Sequence, residues 1–323
     1  MSAGRDPEKF ELNYVVFGGG GFIGSTIVDQ LLAAGHCVRV FERPRVEPFR
    51  AFLPSEKVEW TTGDLASVHD VEEALEGMDA VFHLVSTTLP KSSNDDPIYD
   101  VQSNMVSTLQ MLNAMVSKGV KKIVFISSGG TVYGVPQYLP VDEKHPTEPV
   151  VSYGITKLAI EKYLKLYSNL YGIKHVVLRV SNPYGERQRL ETAQGAVAAF
   201  LHKALSDKPI EVWGDGTVTR DYVYIGDVAD AFVKAVAYEG DQTIFNISSG
   251  HGMCLNELIE KVEAVVGRKV ERSYKPGRSF DVPVSILCNE LARQELDWVP
   301  KVSMSEGLAR TAHWAADAYK RVL

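Results

Sequence analysis

A tyrosine and a lysine four residues apart are the side chains of this sequence with the clearest chemical potential. Tyr153 and Lys157 stand in the segment Tyr-Gly-Ile-Thr-Lys, whose surroundings have helical spacing, so both side chains fall on one helix face. A nearby ammonium favours the phenolate, so Lys157 is expected to lower the pKa of Tyr153 from its usual value of ~10. A tyrosine that exchanges a proton near neutral pH suits the interconversion of an alcohol and a ketone.

A glycine-rich segment near the start of the chain indicates a phosphate-binding turn. The apolar run Tyr14–Phe17 leads directly into Gly-Gly-Gly-Gly-Phe-Ile-Gly, and a helical pattern follows. Glycines permit a tight strand-to-helix turn and let backbone amides approach a pyrophosphate at the helix N-terminus. The spacing therefore predicts a dinucleotide site, whose contacts here are Gly18, Gly21, Phe22, Ile23 and Gly24.

The end of the second predicted strand bears on the choice of dinucleotide. Glu42 stands 18 residues after the last glycine of the loop, where a carboxylate can accept both adenosine-ribose hydroxyls. This favours NAD, because the 2′-phosphate of NADP would meet a like charge. Arg43 and Arg45 follow at once and could accommodate that phosphate, so NADP stays open. The adenine is expected to be reached by Asp64 and Leu65.

The elements that must position these residues alternate in type. The predicted strands are Tyr14–Phe17, Val38–Phe41, Val58–Thr61, Ala80–Val85, Lys122–Ile126 and His175–Val180. The predicted helices are Phe22–Ala34, Val68–Leu75, Val101–Val116, Ile155–Tyr171 and Gly195–Ser206, with a loop over Ser181–Arg189. Alternation of this kind predicts an α/β fold, a Rossmann-type doubly wound parallel sheet. We expect a smaller, interleaved α/β substrate-binding lobe beside it: residues 1–180 plus 222–250 for NAD, and residues 181–221 plus 251–323 for substrate.

Composition narrows the classes of partner. The chain has 323 residues, with 34 Lys and Arg against 41 Asp and Glu and a net charge of −7. That balance opposes binding to nucleic acid or to an anionic membrane surface. The three cysteines form no Cys-x-x-Cys pair and the eight histidines show no ligand spacing, so no metal is predicted. No apolar run is long enough to span a bilayer. We expect a cytoplasmic protein with reduced thiols.

Several motifs in order along the chain carry a family resemblance. They are the glycine loop, Ser-Ser-Gly-Gly-Thr-Val-Tyr-Gly at 127–134, the Tyr/Lys pair, Asn-Pro-Tyr-Gly at 182–185, Arg-Asp-Tyr at 220–222 and Arg-Ser-Phe-Asp-Val-Pro at 278–283. Over nearly its whole length the chain resembles the extended short-chain dehydrogenases/reductases. Within them it is most similar to the NAD-dependent sugar-nucleotide epimerase/dehydratase branch, and there to 4-epimerases of UDP-hexoses. The resemblance implies NAD as cofactor, with further contacts from Leu84, Ser86 and Asn104.

The resemblance also assigns catalytic roles. It makes Tyr153 the base that removes a sugar hydroxyl proton, while Lys157 holds the nicotinamide ribose and tunes that tyrosine. A serine or threonine would hydrogen-bond the reacting oxygen. Counting back 25 residues from the tyrosine gives Ser128, whereas counting back four from the tyrosine of the preceding Tyr-Gly pair lands on Gly129. We predict Ser128, with Ser127 in reserve.

The same segment bears on the reaction type. Dehydratases of the family usually carry an adjacent Asp–Glu pair where this chain has Gly130 and Thr131. Without a carboxylate there, elimination of water and decarboxylation are both disfavoured. Oxidation and re-reduction of one carbinol remains, which is epimerisation. The alternatives are an NAD(P)H-dependent keto-sugar reductase and a non-catalytic dinucleotide-binding scaffold.

The resemblance places the substrate, a UDP-sugar, near the second half of the chain. Asn182 would bind the diphosphate or uracil region, and Arg220 and Arg278 match the pyrophosphate-binding arginines, whose planar forks suit phosphate oxygens. Arg187 is expected near the same ligand. Asp281 is expected to fix the Arg278 loop or the nucleoside.

One position addresses the sugar itself, and two helices address assembly. Ser285 matches the position beside the C2 substituent in similar 4-epimerases, where a bulky tyrosine excludes N-acetyl groups. A small residue leaves the volume that an acetamido group needs. We therefore expect UDP-N-acetylglucosamine/UDP-N-acetylgalactosamine ahead of UDP-glucose/UDP-galactose. By analogy with the family, Val101–Val116 and Ile155–Tyr171 would form a homodimer interface.

Overall fold

The structure, a computed structural model, describes residues 11–189, 195–277 and 282–322. Its strands are β1 (Asn13–Phe17), β2 (Cys37–Glu42), β3 (Val58–Thr62), β4 (Ala80–His83), β5 (Lys122–Ser128), β6 (Lys174–Val180), β7 (Asn182–Tyr184), β8 (Ile210–Trp213), β9 (Thr219–Tyr224), β10 (Ile244–Ile247), β11 (Gly252–Cys254), β12 (Arg272–Lys275) and β13 (Val284–Ser285). Seven of them form one parallel sheet in the order β10-β6-β5-β4-β1-β2-β3. The predicted Rossmann-type sheet is confirmed.

Helices cover both faces of this sheet. They are α1 (Phe22–Ala33), α2 (Val68–Leu75), α3 (Pro97–Asp100), a π-helix (Val101–Val106), α4 (Ser107–Lys118), α5 (Ser152–Tyr171), α6 (Ala196–Leu205), α7 (Ile225–Ala237), α8 (Leu255–Val266), α9 (Glu290–Glu295) and α10 (Met304–Val322). Ile27 and Phe232, from α1 and α7, pack in one apolar core, whereas Met111 and Ile160, from α4 and α5, pack in the other. Because both faces are buried, the strands are rich in Val, Ile and Phe without polar alternation.

A second lobe is built from short strands. β9 pairs with β11, β13 and β7, β8 pairs with β12, and α6, α8 and α10 pack against one another. Phe200 and Leu258 of this lobe belong to the same apolar core as Phe82 and Val124 of the large sheet. The two lobes therefore share a core. The expected boundary at residue 222 lies inside β9.

Two stretches differ from the expected elements. The single helix expected over Val101–Val116 is divided into the π-helix and α4, and α3 precedes it. The loop expected over Ser181–Arg189 contains β7, three residues that pair in parallel with β9. A strand this short has no readable periodicity, so only its partner strand defines it.

Two negative findings apply to the described part of the chain. No helix there is both long and apolar enough to span a membrane. Nor do three or more His, Cys, Asp or Glu side chains gather there in an arrangement that could hold a metal ion.

Candidate active site

The glycine loop between β1 and α1 is shaped for close backbone approach. Gly18 has φ +85°, in the left-handed region, and a Cβ on Gly24 would lie only 2.1 Å from the carbonyl oxygen of Gly18. Within the described residues no side chain caps the N-terminus of α1 at Gly21, and its first turn holds no acidic residue. Uncapped amides and an unopposed helix dipole fit the pyrophosphate of a dinucleotide.

Glu42 lies against this loop. Its Oε1 accepts a hydrogen bond from the backbone N–H of Gly20 at 3.0 Å, and its Oε2 accepts one from the N–H of Arg43 at 3.2 Å. A Cβ on Gly20 would lie 3.0 Å from Cγ of Glu42, so the carboxylate and the loop are in contact. This places a negative charge where the adenosine ribose of a bound dinucleotide is expected, which fits NAD and disfavours a 2′-phosphate.

The other predicted cofactor contacts are distributed around the same strand ends. Leu84 follows β4, and a Cβ on Gly18 would lie 3.5 Å from its carbonyl carbon, so these two are neighbours. Asp64 is exposed and its Oδ1 accepts from the N–H of Ala66 at 2.9 Å. Leu65 is buried in the core beneath α2 and α4, with 8% exposure.

Tyr153 occupies the first turn of α5 and is held from several sides. Its backbone N–H donates to Oγ of Ser93 at 3.0 Å, and the N–H of Ser152 donates to Oδ1 of Asn94 at 2.9 Å. The phenol also shares a hydrogen bond with Ser86, in the loop after β4. Two loop side chains thus satisfy helix amides that would otherwise lack partners, and they fix the position of Tyr153 in the first turn of α5.

Lys157 lies one turn further along the same helix. Its Nζ donates to the carbonyl oxygen of Ile126 at 3.0 Å and lies 4.7 Å from the ring centre of Phe125 and 5.6 Å from that of Tyr153. Burial lowers the pKa of Lys157 to about 8, against the raising effect of Asp100 and Glu161. The predicted neighbourhood of the tyrosine and lysine is therefore found.

The pKa of Tyr153 is raised, not lowered as expected from its spacing to Lys157. Burial raises the pKa of Tyr153 to about 12; the hydrogen bond from Ser86 lowers it and the charge of Asp100 raises it further. Desolvation disfavours the phenolate more than the one hydrogen bond favours it. The ammonium of Lys157 points to the Ile126 carbonyl instead. The phenol of Tyr153 is therefore protonated at neutral pH.

The two serines at the end of β5 have different surroundings. The Ser127 hydroxyl is buried and donates to Oε1 of Glu161 at 2.5 Å. Glu161 in turn holds Arg179 of β6 by hydrogen bonds of 2.6 and 3.1 Å, and both side chains are nearly inaccessible. Ser128 is half-buried, and within the described residues its hydroxyl makes no hydrogen bond. Ser127 is therefore engaged with Glu161, whereas the Ser128 hydroxyl has no hydrogen-bond partner among the described residues.

Gly129 and Gly130 explain why counting from the Tyr-Gly pair gave no hydroxyl. A Cβ on Gly129 would lie 2.3 Å from Cδ1 of Leu287, so the residue beside Ser128 must be glycine unless Leu287 moves. Around Gly130 a Cβ would meet no described atom within 4 Å. The loop between β5 and α5 is therefore tightly packed at Gly129 and has free space at Gly130.

Asn104 lies in the π-helix and faces the loop after β4. Its Oδ1 accepts from the N–H of Thr87 at 2.9 Å, while its Nδ2 donates to Oγ1 of Thr88 at 3.1 Å and to Asp100. The wider turn of a π-helix brings this amide out of α-helical register, a device found frequently at functional sites. The predicted cofactor contact thus supports the loop that carries Ser86.

A cavity of about 220 Å³ opens in the second lobe, lined by Asn182, Trp213, Arg220, Tyr222 and Leu255 among others. Asn182 follows β6 by two residues, and the last residue of β6 pairs with Ser128, so the cavity lies on the catalytic side of the sheet. Nδ2 of Asn182 donates to the carbonyl oxygen of Asp221, and Nη1 of Arg220 donates to those of Thr219 and Val282. These bonds fix both polar side chains at the cavity wall.

The remaining substrate predictions have mixed positions. Arg187 donates to Oδ2 of Asp29 on α1 at 2.7 Å and stacks on Phe49, so its position gives no support to the expected ligand contact. Ser285 is 9% exposed and pairs in register with Arg220, hence on the same sheet face, but it does not itself line the cavity. Arg278 and Asp281 lie outside the described residues.

The sequence reading missed two structural carboxylates. Asp221 is inaccessible and accepts from the N–H groups of Ser249, Gly250 and Leu287, which ties β9 to the segments that follow β10 and β13. Glu161 has the role described above. Glu161 stands four residues after Lys157, a spacing that places it on the catalytic face, and this was the signal available in the sequence.

A parallel sheet with a glycine-rich loop after β1 and a Tyr/Lys pair at the carboxyl end of β5 defines a nicotinamide-dependent enzyme of alcohol–ketone chemistry. The model of the NAD dependent epimerase/dehydratase family matches residues 14–248. The chain belongs to that family.

Known relatives cover almost the whole chain. It is 37% identical over 309 residues to a UDP-glucose 4-epimerase of Mycolicibacterium smegmatis, covering 93% of this chain and 97% of that protein. The crystal structure of a Thermotoga maritima UDP-glucose 4-epimerase with UDP-glucose has a TM-score of 0.90 at 34% identity, covering 95% of this chain and 100% of that one. A UDP-N-acetylglucosamine 4-epimerase from Methanobrevibacter ruminantium, in complex with UDP-N-acetylmuramic acid, has a TM-score of 0.89 at 27% identity, with 95% and 99% covered.

Proposed function

We propose that this protein epimerises a UDP-hexose at C4 with NAD as a resident cofactor. The observation that carries the proposal is the placement of Tyr153 and Lys157 beside the end of β5. The last residue of that strand pairs with Val180, two residues before Asn182 in the cavity wall. The absence of a carboxylate at Gly130 and Thr131 argues against elimination of water. The names of the relatives agree with the same reaction.

The roles of the side chains follow from their environment. Tyr153 takes the proton of the C4 hydroxyl and later returns it, and Ser128 hydrogen-bonds the reacting oxygen. Lys157, buried and held by Ile126, keeps a positive charge near the phenol and the nicotinamide ribose. NAD, which the glycine loop and Glu42 would hold, would supply reversible hydride transfer at C4. Arg220 and Asn182 anchor the nucleotide diphosphate, remote from the reacting carbon, and so retain the intermediate.

For the sugar, we propose that the pair UDP-N-acetylglucosamine/UDP-N-acetylgalactosamine is accepted ahead of UDP-glucose/UDP-galactose. The support is the small side chain of Ser285 on the sheet face that also carries Arg220. The glucose pair is the second candidate, favoured by the activity named for the Mycolicibacterium smegmatis and Thermotoga maritima proteins.

Proton NMR of the purified protein with each UDP-sugar, first without added NAD, tests the proposal. Growth of the anomeric signal of UDP-N-acetylgalactosamine from UDP-N-acetylglucosamine is the expected result. Conversion of UDP-glucose alone would overturn the sugar preference and leave 4-epimerisation standing. If neither sugar reacts with NAD present while a keto-sugar oxidises NADPH, the protein is a reductase.

A substitution at Ser285 sharpens the sugar assignment. Ser285→Tyr is expected to abolish conversion of UDP-N-acetylglucosamine and to retain that of UDP-glucose, since the acetamido group loses its space. Ser305→Tyr, at an exposed position on α10, is the matched control. The melting temperature of each variant is measured as a check on folding. If Ser285→Tyr loses activity equally toward the two sugars, the assignment is contradicted.

We further propose that the protein acts in the cytoplasm as a homodimer. The support is the set of exposed apolar side chains on α5 and on the π-helix, namely Val106, Ile155, Leu166 and Leu170. The test is analytical ultracentrifugation of the wild type and of Leu166→Glu/Leu170→Glu. A dimer that becomes a monomer in the variant is expected, and a wild-type monomer at micromolar concentration would contradict the proposal.

A further inference from the structure

A carboxylate outside the predicted site lies at the junction of three segments that carry the catalytic groups. Asp100, at the end of α3, is fully inaccessible. Its Oδ2 accepts from the hydroxyls of Ser152 at 2.7 Å and Thr156 at 2.8 Å, and its Oδ1 accepts from Thr88 and, at 3.0 Å, from Nδ2 of Asn104. Within the described residues it forms no ion pair.

The four donors come from the elements that surround the phenol. Ser152 and Thr156 flank Tyr153 on α5, one residue before it and three after it. Thr88 belongs to the loop after β4, which also presents Ser86 to the phenol. Asn104 belongs to the π-helix and binds the N–H of Thr87 in the same loop. One buried side chain therefore joins the helix that carries the base to the loop that contacts it.

A buried carboxylate without a cationic partner costs free energy unless its oxygens are fully hydrogen-bonded. An apolar residue in this place would leave the four donors without an acceptor, so the carboxylate is what holds these segments together. Asp100 on α3 is the charged group that faces both Tyr153 and Lys157, and Glu161 on α5 also faces Lys157. His83 on β4 is buried and uncharged.

We propose that Asp100 is a positioning residue that joins α5 to the loop after β4 and so sets the place of Tyr153 and Lys157 relative to Ser86. The proposal rests on the proposed function, since it assigns Asp100 to the same proton transfer. Asp100 touches neither substrate nor cofactor in this assignment and acts through α5 and the loop after β4.

The electrostatic consequence has a definite sign. The Asp100 carboxylate raises the pKa of both Tyr153 and Lys157. Asp100→Asn keeps the shape and removes the charge, so both groups should lose protons at lower pH. The acid and alkaline limbs of the kcat/KM profile should therefore both move to lower pH, by about half a unit or more.

The test that does not need turnover is an NMR titration of the full-length protein labelled with 13C at lysine Cε, with Lys157→Met to assign the signal. In the wild type Lys157 should titrate near pH 8. In Asp100→Asn it should titrate at least about half a unit lower. Asp227→Asn, another buried carboxylate but on α7, is the matched control and should leave the Lys157 signal unmoved.

Thr156→Val separates charge from hydrogen bonding, because it removes one donor and keeps the carboxylate. It should not lower the pKa of Lys157. An unchanged Lys157 titration in folded Asp100→Asn overturns the proposal, whether or not the protein epimerises any sugar. If no UDP-hexose is converted by the wild type while the lysine titration shifts as expected, only the proposed function fails.

If Asp100→Asn does not fold, Thr88→Val tests whether Asp100 positions the loop after β4. This variant removes the hydrogen bond between the loop and Asp100, and it should weaken the contact between Ser86 and Tyr153. The kcat should then fall about tenfold with KM nearly unchanged, and the acid limb should move to higher pH because the Ser86 hydrogen bond lowers the pKa of Tyr153. Wild-type kcat and an unmoved profile would overturn the proposal.

Discussion

In the cofactor-binding half, the functional groups follow the ends of adjacent parallel strands of one sheet. Glu42 contacts the loop after β1, and Lys157 contacts a carbonyl of β5. In the substrate lobe, the cavity wall joins β7, β8 and β9, and its ties reach across long stretches of chain, as from Arg220 to Val282. The first half is ordered by one parallel sheet, and the second by pairing among short strands. Substitutions should therefore act on catalysis in the first half and on affinity in the second.

The largest expected effect on activity is at Tyr153. Tyr153→Phe should lower kcat by about 10²- to 10⁴-fold, because the proton of the sugar hydroxyl loses its acceptor. Tyr171→Phe, at the exposed far end of α5, should keep full activity. The NMR conversion assay measures both, with NAD content and melting temperature as checks. An active Tyr153→Phe enzyme would remove the tyrosine from the mechanism and break the comparison at its strongest point.

The next largest effect concerns stability in the catalytic half. Glu161→Gln leaves Arg179 buried without its counter-charge, at a cost of about 3–5 kcal/mol in the free energy of unfolding. The exposed pair Arg310–Glu306 provides the control, and Glu306→Gln should cost less than about 1 kcal/mol. Urea denaturation gives both values. A cost at Glu161 no larger than the control's would show that Ser127 and Arg179 find other partners.

At the substrate lobe, Arg220→Lys keeps the charge and loses the planar fork. A charge-assisted hydrogen bond contributes about 1.5–3 kcal/mol, so KM for the UDP-sugar should rise about 10- to 100-fold with a smaller change in kcat. Arg268→Lys, at a half-exposed arginine of the same lobe, should leave KM unchanged. Initial rates against substrate concentration decide it. A loss confined to kcat would contradict the division between the two halves.

The response of stability to acid also separates the two halves. Burial, with the charge of Lys157, lowers the pKa of His83 on β4 to about 3, and burial lowers that of His175 on β6 to about 4. An unfolded histidine has a pKa of ~6.5, so the unfolded state binds more protons below that pH. Their contribution is present above pH ~6.5 and is lost as the pH falls toward 3, by about 2 kcal/mol each at pH 5.

Urea denaturation at several pH values measures this slope. His83→Gln should flatten it, whereas His251→Gln, exposed in the substrate lobe, should leave it as it is. If the slope is the same in His83→Gln and in the wild type, the pKa of His83 does not differ between the folded and unfolded states.

The sequence by itself determined the parallel sheet, the glycine loop, the acidic residue after β2 and the Tyr/Lys pair. Each of these is a local pattern: a buried strand, a turn that only glycine permits, or a spacing of four on a helix. Gly18 and Gly24 are required because a Cβ at the second would collide with the carbonyl of the first. Such constraints act between residues close in the chain and are therefore readable from it.

Only the tertiary structure decided the rest. In the fold Ser127 donates to Glu161, while the Ser128 hydroxyl has no partner among the described residues. Arg187 binds Asp29, and Asp100 lies among donors from three segments. The fold also reversed the expected pKa shift of Tyr153, because burial depends on what the fold stacks above a side chain. Desolvation and long-range hydrogen bonds arise between residues distant in sequence, so no local spacing can encode them.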